Sequence, residues 1–337
     1  MNQRFAAPRT PVVLERAFED PDFVRGLVAS NAPYWPVLRY VAKPEELAAV
    51  SQSKAGVTKA LPPWFRGDWA YDVPLVEGAD RVLGNSIFIE AAKAVFDAEV
   101  VRPTAVYVNL MAPLPFAGEG HIDVPAFRGI DRTEYPIWLL QQMTRSGLFA
   151  DWQIDIATAV SWFYEGIGGA FDYWSHGPAR PPERIDRPLD NRAVVGDNDF
   201  MFHRVDSIGA NAKMFEASLD AELRPASSGS GEWIIEDRGR IVTRYDASAI
   251  RVSVSWKAEV YADEGSYRER AEHLDDLAFE TVIDRFVEDL SDRGVEVSRP
   301  ADPLRDTDFI AALSEVYRLP DLVYPTESET RARASDA

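Results

Sequence analysis

Alternating and continuous apolar runs fill the middle of the chain and predict a region of short β-strands. From about residue 104 onward, runs rich in Val, Ile, Trp and Tyr recur between short polar turns; they are TAVYVNLMA, DIATAVSWFYE, GAFDYWSHG, NRAVVGDNDFMFHRV, GEWIIED, GRIVTRYD and IRVSVSWKAEVY. Alternation with a period of two places successive side chains on opposite faces of a strand. Many short strands separated by turns favour a sandwich or a barrel. We expect hairpins at GIGG, residues 166–169, and at EDRGR, residues 236–240.

Apolar spacing near 3.6 residues predicts helices on both sides of the strand region. They are predicted near residues 21–30, 44–51 and 86–98, and again from about residue 265, where apolar residues recur at spacings of three and four: Leu274, Leu277, Ala278, Val282 and Phe286. No internal repeat and no Gly/Ser linker divides the chain. The sequence therefore predicts one continuous globular domain with a mixed N-terminal part packed on the core (1–100), a β-rich core (101–264), bracing helices (265–325) and a frayed polar tail (326–337).

The composition narrows the possible chemistry and the possible partners. The 337-residue chain has no cysteine, which excludes disulfides, thiolate metal sites and a cysteine nucleophile, so any metal must be held by His, Asp or Glu. Its formal net charge of −19 opposes the field that attracts phosphate backbones, so we expect no nucleic-acid partner. No apolar stretch approaches the roughly 18 residues of a membrane span. We expect a cytoplasmic protein, monomeric or homodimeric, with no membrane partner.

His121 and Asp123, two residues apart in EGHIDVPAF, are the first candidates for metal chemistry. Given four histidines, about 0.65 pairs of a histidine followed two places later by a carboxylate arise by chance, so the pair alone is a weak signal. His273 and Asp275 form a second such pair on a helical pattern, where two residues lie about 200° apart around the axis. The first pair follows a strand-like run and a glycine-containing loop, and extended backbone puts both side chains on one side. Only the first pair is expected to converge on an ion.

His203, in the alternating run MFHRV, supplies a possible third ligand. Two histidines and one carboxylate with three open positions are the ligand set of non-haem Fe(II) oxygenases. A buried strand histidine bonded to a backbone carbonyl explains His203 equally well. Arg251 and Ser253 lie two apart at the start of IRVSVSWKAEVY and face one way, and an arginine fork with a nearby hydroxyl suits a carboxylate. This second pair therefore predicts a site for a dicarboxylate.

The ordered series VYVNLMAP, HIDVPAF, MFHRV and RVS resembles the Fe(II)/2-oxoglutarate-dependent oxygenase superfamily over roughly residues 100–262. The resemblance implies a mainly β fold with flanking helices, the double-stranded β-helix (jelly roll, cupin-like). It implies Fe(II) on His121, Asp123 and His203, with 2-oxoglutarate as co-substrate and O2 as oxidant. The implied reaction oxidises an unactivated C–H bond of a small molecule by hydroxylation, desaturation or cyclisation, because halogenating members lack the carboxylate that Asp123 provides.

The resemblance also suggests residues around this set. Tyr107 and Asn109 alternate on the run before the HxD pair and are candidates for contact with the co-substrate, with ordinary strand packing as the alternative. In the family the arginine that binds 2-oxoglutarate follows the distal histidine closely, whereas Arg251 follows His203 by 48 residues. Either residues 207–248 are an insertion, such as a hairpin or lid, or Lys213 is the anchor; we favour Arg251 with Ser253. Possible substrate-binding residues are Arg128, Trp162, Tyr164 and Arg204.

Two other functions fit the same residues. A cupin-like non-haem iron oxidase or isomerase that does not use 2-oxoglutarate would keep the same three ligands and bind its substrate directly with Arg251. A non-catalytic jelly-roll binding protein would tolerate the loss of His121 and His203 beyond a modest effect on stability.

Overall fold

The computed structural model describes residues 6–41, 63–209, 218–227, 229 and 231–325. Three sequence predictions therefore lie outside the described residues: the helix near 44–51, the alternative anchor Lys213 and the frayed tail at 326–337.

The described chain contains the predicted helices on both sides of the strand region, and also a helix inside that region, Ile137–Ser146, that the sequence pattern did not predict. The strands are β1 (Val12–Leu14), β2 (Trp35–Pro36), β3 (Trp64–Tyr71), β4 (Val73–Pro74), β5 (Val100–Met111), β6 (Ala126–Phe127), β7 (Gln153–Phe163), β8 (Phe171–Tyr173), β9 (Glu183–Ile185), β10 (Arg192–Gly196), β11 (His203–Val205), β12 (Glu222–Pro225), β13 (Glu232–Asp237), β14 (Arg240–Asp246) and β15 (Arg251–Tyr261). The α-helices are α1 (Pro21–Ser30), α2 (Leu38–Val41), α3 (Ala79–Leu83), α4 (Ser86–Phe96), α5 (Ile137–Ser146), α6 (Glu264–Ala271), α7 (Phe279–Asp292) and α8 (Thr307–Val316).

Capping residues explain where the N-terminal helices begin. The Asp20 side chain accepts a hydrogen bond from the Phe23 amide ahead of α1, and Pro21 occupies the first helical position, where a missing N–H costs nothing. The Asn85 side chain caps α4 in the same way by accepting from the Ile87 amide. The helices predicted near residues 21–30 and 86–98 are thus confirmed.

A large antiparallel sheet organises the molecule. Among the described residues its strand order is β1-β10-β7-β15-β5-β3-β2, with β4 paired to β3 and β6 paired to β7. Strand β15 lies in the centre and pairs with both β5 and β7 over nearly its whole length. Its alternate residues therefore define two faces in the middle of the sheet.

The two faces of β15 differ in chemistry. Val254, Trp256 and Ala258 belong to the main apolar core, which also contains residues of α1 and α4. The opposite face of the strand carries four polar residues, Arg251, Ser253, Ser255 and Lys257. The alternation of apolar and polar residues along β15 therefore directs its apolar face toward the helices and its polar face toward the other side of the sheet.

A second sheet packs over that other side. It has the order β11-β8-β9, and a bridge between His121 and His203 adds the segment around His121 to its edge. One apolar cluster joins the two sheets; it includes Trp162 and Val194 from the large sheet with Phe171, Tyr173 and Ile185 from the second. The polar face of β15 consequently lies between two antiparallel sheets.

The third sheet, β12-β13-β14, lies in the stretch between β11 and β15. The hairpin predicted at EDRGR is confirmed, because β13 and β14 pair around a two-residue turn in which Arg238 and Gly239 both have positive φ. Leu223 bonds to the backbone of Tyr34, and the Tyr34 and Trp233 rings stack at 6.2 Å. This sheet therefore braces the N-terminal part on the apolar side of the large sheet.

The hairpin predicted at GIGG is wrong. Strand β7 belongs to the large sheet and β8 to the second, and the chain crosses from one to the other between them. Gly168 and Gly169 have φ values of +72°, and a Cβ on Gly168 would come within 2.3 Å of the Ser207 carbonyl oxygen. These glycines allow the chain to pass close to the Ser207 backbone as it crosses from one sheet to the other. The local sequence does not distinguish such a crossing from a hairpin turn.

The C-terminal helices differ from the predicted continuous pattern. His273 adopts a φ of +54°, and the chain forms a turn until α7 begins at Phe279. Leu274 is 64% exposed, whereas Leu277 is buried although it is not helical. The second HxD pair therefore lies on a turn, not on a helix, and Arg128 binds the carboxylate of Asp275.

Helices α5, α7 and α8 bury their apolar faces against one another in a separate cluster that includes Leu140, Phe286 and Leu313. Within the described part of the chain, no helix has the length and apolar character needed to cross a membrane.

Candidate metal centre

The ligand atoms of His121, Asp123 and His203 all lie within 4.8 Å of one another. Two backbone hydrogen bonds between His121 and His203, of 3.0 and 2.9 Å, join their segments edge to edge. The Asp123 amide donates to the Asn198 carbonyl at 2.9 Å and fixes the same loop further along. The structure thus brings together three residues that are up to 82 positions apart in the sequence.

Backbone carbonyls orient both imidazoles. The Nδ1 atom of His121 lies 3.1 Å from the Glu119 carbonyl oxygen, and Nδ1 of His203 lies 3.0 Å from that of Met201. A carbonyl oxygen only accepts, so each Nδ1 carries a proton, and in the neutral form of each ring Nε2 is the nitrogen that has the lone pair. The Nε2 atom of His203 lies 3.7 Å from Oδ1 of Asp123. These are the tautomers that metal binding through Nε2 requires.

The charges around the centre suit a cation. Burial, helped by the neighbouring His121, lowers the pKa of His203 to about 4, so this imidazole is neutral at physiological pH. Burial alone would raise the pKa of Asp123, but Lys257 and the two histidines hold it well below its usual range. A neutral imidazole and an ionised carboxylate are the protonation states in which these groups bind metals.

Lys257 is a residue of the centre that the sequence reasoning missed. Its Nζ donates to Oδ2 of Asp123 at 2.7 Å and to the Thr158 hydroxyl at 3.2 Å. The signal was present in the sequence, because the alternation that puts Arg251 and Ser253 on one face of β15 also puts Ser255 and Lys257 there.

Asn198 and Asp199 lie beside the centre, and the sequence analysis did not identify them as site residues. Both are about 1% exposed, and their side-chain oxygen and nitrogen atoms have no hydrogen-bond partner among the described residues. Burial raises the pKa of Asp199 well above its usual value, although Lys257 opposes this shift. The centre therefore contains buried polar groups beyond the three ligand residues.

Arg251 is a buried guanidinium on the same face of β15. It is 1% exposed, its Nε donates to the Gly169 carbonyl at 2.7 Å, and its Nη2 has no partner. Burial lowers the pKa of Arg251 to about 10. Among the described residues it makes no ion pair. A buried cation is normally paired, so the position fits an anionic group of a ligand.

The other predicted co-substrate residues share this face with Arg251. Ser253 stands in register with Asn109 on β5 and with Trp162 on β7. The Asn109 side chain accepts a hydrogen bond from the Trp64 indole at 3.0 Å. Tyr107 is in register with Ser255, and the guanidinium of Arg66 lies 3.7 Å from the centre of its ring.

The four predicted substrate-binding residues occupy different surroundings. Trp162 is fully buried, with its ring centre 5.2 Å from that of Phe171, and the Tyr164 hydroxyl donates to the Ile167 carbonyl. Arg128 pairs with Asp275, and Arg204 pairs with the buried Asp172. Both arginines are engaged in ion pairs within the protein, and their role toward a substrate stays a prediction.

The segment 319–325, which we call the C-terminal strap, packs against the HxD loop. Leu319 and Leu322 lie against a small cluster of Ile122, Trp174 and Phe202. The Gly120 amide donates to the Tyr324 hydroxyl at 3.2 Å, and the Trp174 indole donates to the Val323 carbonyl at 3.0 Å. The residue between the two ligands of the HxD pair is therefore held by the opposite end of the chain.

Comparisons with known proteins give matches only among solved structures; no family model and no curated protein matches the chain. A Pseudomonas putida prolyl-4-hydroxylase is 14% identical, with 75% of this chain and 93% of that chain covered and a TM-score of 0.37. A 2OG-Fe(II) oxygenase family oxidoreductase from Burkholderia pseudomallei is 14% identical over 67% and 89%, with a TM-score of 0.34. HygX from Streptomyces hygroscopicus, with nickel, 2-oxoglutarate and hygromycin B bound, is 10% identical over 75% and 83%, with a TM-score of 0.35. Likeness at this level assigns no activity to this chain.

Proposed function

We propose that the protein is a non-haem Fe(II)/2-oxoglutarate-dependent dioxygenase that oxidises a C–H bond of a small molecule. The observation that carries the proposal is the convergence of His121, Asp123 and His203, whose ligand atoms all lie within 4.8 Å of one another. Two imidazole nitrogen donors and one carboxylate leave half of an octahedral sphere open, which is the arrangement of non-haem iron oxygenases.

The strand order supports a double-stranded β-helix as the fold. Four strands of the large sheet, β10-β7-β15-β5, face β9-β8-β11 and the segment bridged at His121. Eight strands in two facing antiparallel sheets are the composition of a jelly roll. The three ligands lie at the edge where the His121 segment joins the second sheet.

The unpaired Arg251 supports 2-oxoglutarate as the co-substrate. The free Nη2 of a fully buried guanidinium suits the distal carboxylate of a dicarboxylate, and Ser253, two residues along the same face, offers a hydroxyl beside it. The glycine at position 169 leaves room for the arginine, since a Cβ there would come within 2.9 Å of Arg251 Cδ.

The residues of the chain then have separate tasks. His121, Asp123 and His203 would hold the iron, and Arg251 and Ser253 would fix the far end of the co-substrate. Bound iron supplies the redox chemistry that couples O2 and the decarboxylation of 2-oxoglutarate to oxidation of the substrate. The carbonyls of Glu119 and Met201 orient the imidazoles. Between the two sheets, Arg251 and Ser253 are at most 5% exposed. The chain thereby positions the reacting groups.

Anaerobic titration with Fe(II) and 2-oxoglutarate tests the proposal. The wild-type protein is expected to bind one Fe(II) and to develop a weak visible charge-transfer band when 2-oxoglutarate is added. The His203→Ala variant should lose both Fe(II) and the band. His176→Ala is the matched control, because His176 is 71% exposed and lies outside the three-residue centre.

Three results would count against the proposal in different ways. Fe(II) binding without the band at saturating 2-oxoglutarate would favour an iron oxidase or isomerase that uses Arg251 on its substrate. No Fe(II) binding by the wild-type protein would favour a non-catalytic binding protein. Equal loss of Fe(II) in His176→Ala and His203→Ala would remove the assigned ligand set.

A further inference from the structure

We propose that Lys257 is a positioning residue that keeps Asp123 a one-oxygen ligand and so preserves the third open position on the metal. The inference rests on the proposed function, because it concerns the metal that the three ligand residues would hold. It adds a task for a residue that neither binds the metal nor belongs to the HxD, His and Arg-x-Ser motifs.

The two oxygens of Asp123 face different partners. Oδ1 points toward the centre and lies 3.7 Å from Nε2 of His203. Oδ2 accepts a hydrogen bond from Lys257 Nζ at 2.7 Å, and the Thr158 hydroxyl lies 3.4 Å from the same oxygen. A charge-assisted bond of this length is among the stronger hydrogen bonds in proteins. Oδ2 is thus engaged while Oδ1 remains available.

The fold fixes the position of the ammonium group. Lys257 stands directly opposite Thr158 in the register of β15 and β7, and Nζ donates to the Thr158 hydroxyl at 3.2 Å. A register shift between Lys257 and Ala258 marks a bulge against β5, a feature that re-aims side chains next to functional sites. The lysine side chain is only 18% exposed, so it has little freedom to leave Asp123.

Freeing Oδ2 would change the coordination of the metal. A carboxylate with both oxygens free can bind a divalent ion through either one or two of them. With one oxygen bound, three protein ligands leave three positions of an octahedron, and a 2-oxo acid takes two of these. With two oxygens bound, the 2-oxo acid would leave no position for O2 unless one carboxylate oxygen dissociated. Lys257 would prevent that arrangement.

The test counts water molecules on Mn(II) bound to the intact protein. Line broadening of the Mn(II) electron paramagnetic resonance signal in ¹⁷O-enriched water is expected to give three waters for the wild-type protein and two for Lys257→Met. After 2-oxoglutarate is added, one water should remain on Mn(II) in the wild-type protein and none in Lys257→Met, because the 2-oxo acid takes two positions in both. Lys257→Arg keeps a cationic donor and should restore three waters.

A second variant tests the inference if Lys257→Met does not fold. Lys257→Met combined with Asp199→Asn removes one buried cation and one buried carboxylate together, and it should also give two waters. Three waters in the methionine variants, or two in the wild-type protein, would overturn the inference.

The same measurements separate the two proposals. No Mn(II) binding by the wild-type protein would overturn both. Three waters in the wild-type protein and two in Lys257→Met, with no binding of 2-oxoglutarate to either, would overturn the proposed co-substrate and support the role of Lys257.

Discussion

At the scale of single residues, we expect Arg251 to contribute most to the binding of the co-substrate. Its guanidinium is buried and lacks an ion pair among the described residues, so an anionic ligand would gain a charge-assisted bond where water cannot compete. Arg251→Gln should raise the 2-oxoglutarate dissociation constant by about 30-fold or more, equivalent to at least ~2 kcal/mol. Affinity for the metal should change little. Calorimetric titration of the metal-loaded protein measures both.

Lys213→Ala provides the comparison for Arg251→Gln. Lys213 lies outside the described residues, and it remains the rival anchor that the sequence leaves open. If Lys213→Ala weakens 2-oxoglutarate binding more than Arg251→Gln does, the anchor is Lys213, and Arg251 is a buried structural cation.

Asp197 gives a pH dependence that can be assigned to one carboxyl group. Its side chain is 3% exposed and bonds to Arg9 at 3.0 Å, and burial raises its pKa to about 6. A carboxyl group whose pKa is higher in the folded state than in the unfolded state binds its proton more tightly when folded. Ionisation therefore lowers the free energy of unfolding as pH rises from about 4 through 6, by ~3 kcal/mol in total.

Asp197→Asn removes this ionisation and keeps the size of the side chain. The stability of the variant relative to the wild-type protein should increase between pH 4.5 and pH 7 by ~2 kcal/mol, the part of the total that falls between these two pH values. Urea unfolding of chelator-treated protein at the two pH values measures the difference. A relative stability that stays constant, or moves the other way, would mean that the Arg9 pair outweighs burial at this site.

At the scale of elements, strand alternation predicted which residues share a face but not which faces meet. The two-residue period of β15 put Arg251 and Ser253 on one side, as expected, and the same period extended by four residues reaches Lys257. Nothing local indicated that this end of the strand lies against Asp123, because that contact depends on the pairing of β15 with β7 and on a loop more than 130 residues earlier. Long-range register is fixed by the assembled sheet.

Turn residues in the sequence likewise did not indicate which strands they connect. Two glycine-containing turns looked alike in the sequence, yet EDRGR closes a hairpin and GIGG carries the chain between sheets. The difference lies in the partners of the flanking strands, which pair with distant segments in the case of β7 and β8. The starts of α1 and α4 were predicted better, because the capping residues Asp20 and Asn85 act on amides two or three positions away.

At the scale of the whole molecule, both ends of the described chain contribute to the region of the candidate metal centre. Arg9, near the N-terminus, pairs with Asp155 and Asp197 on or beside β7 and β10. The C-terminal strap reaches the HxD loop after the helical cluster of α5, α7 and α8 is complete. The positions of His121, Asp123 and His203 therefore depend on the segment around Arg9 and on the C-terminal strap, which the sequence analysis placed outside the core.

Removal of the C-terminal strap tests this dependence. Truncation after Arg318 keeps α8 and Tyr317 in the helical cluster but removes Leu319, Leu322 and the Tyr324 hydroxyl from the loop that carries His121 and Asp123. Two partly buried leucines contribute roughly 2–4 kcal/mol of apolar stabilisation. We expect the truncated protein to keep its circular dichroism spectrum, to melt a few degrees lower and to bind Co(II) at least about tenfold more weakly, because the loop that presents two ligands is less constrained. Truncation after Pro325 removes none of these contacts and is the matched control, so a similar loss of Co(II) in both proteins, or in neither, would show that the strap does not position the ligands.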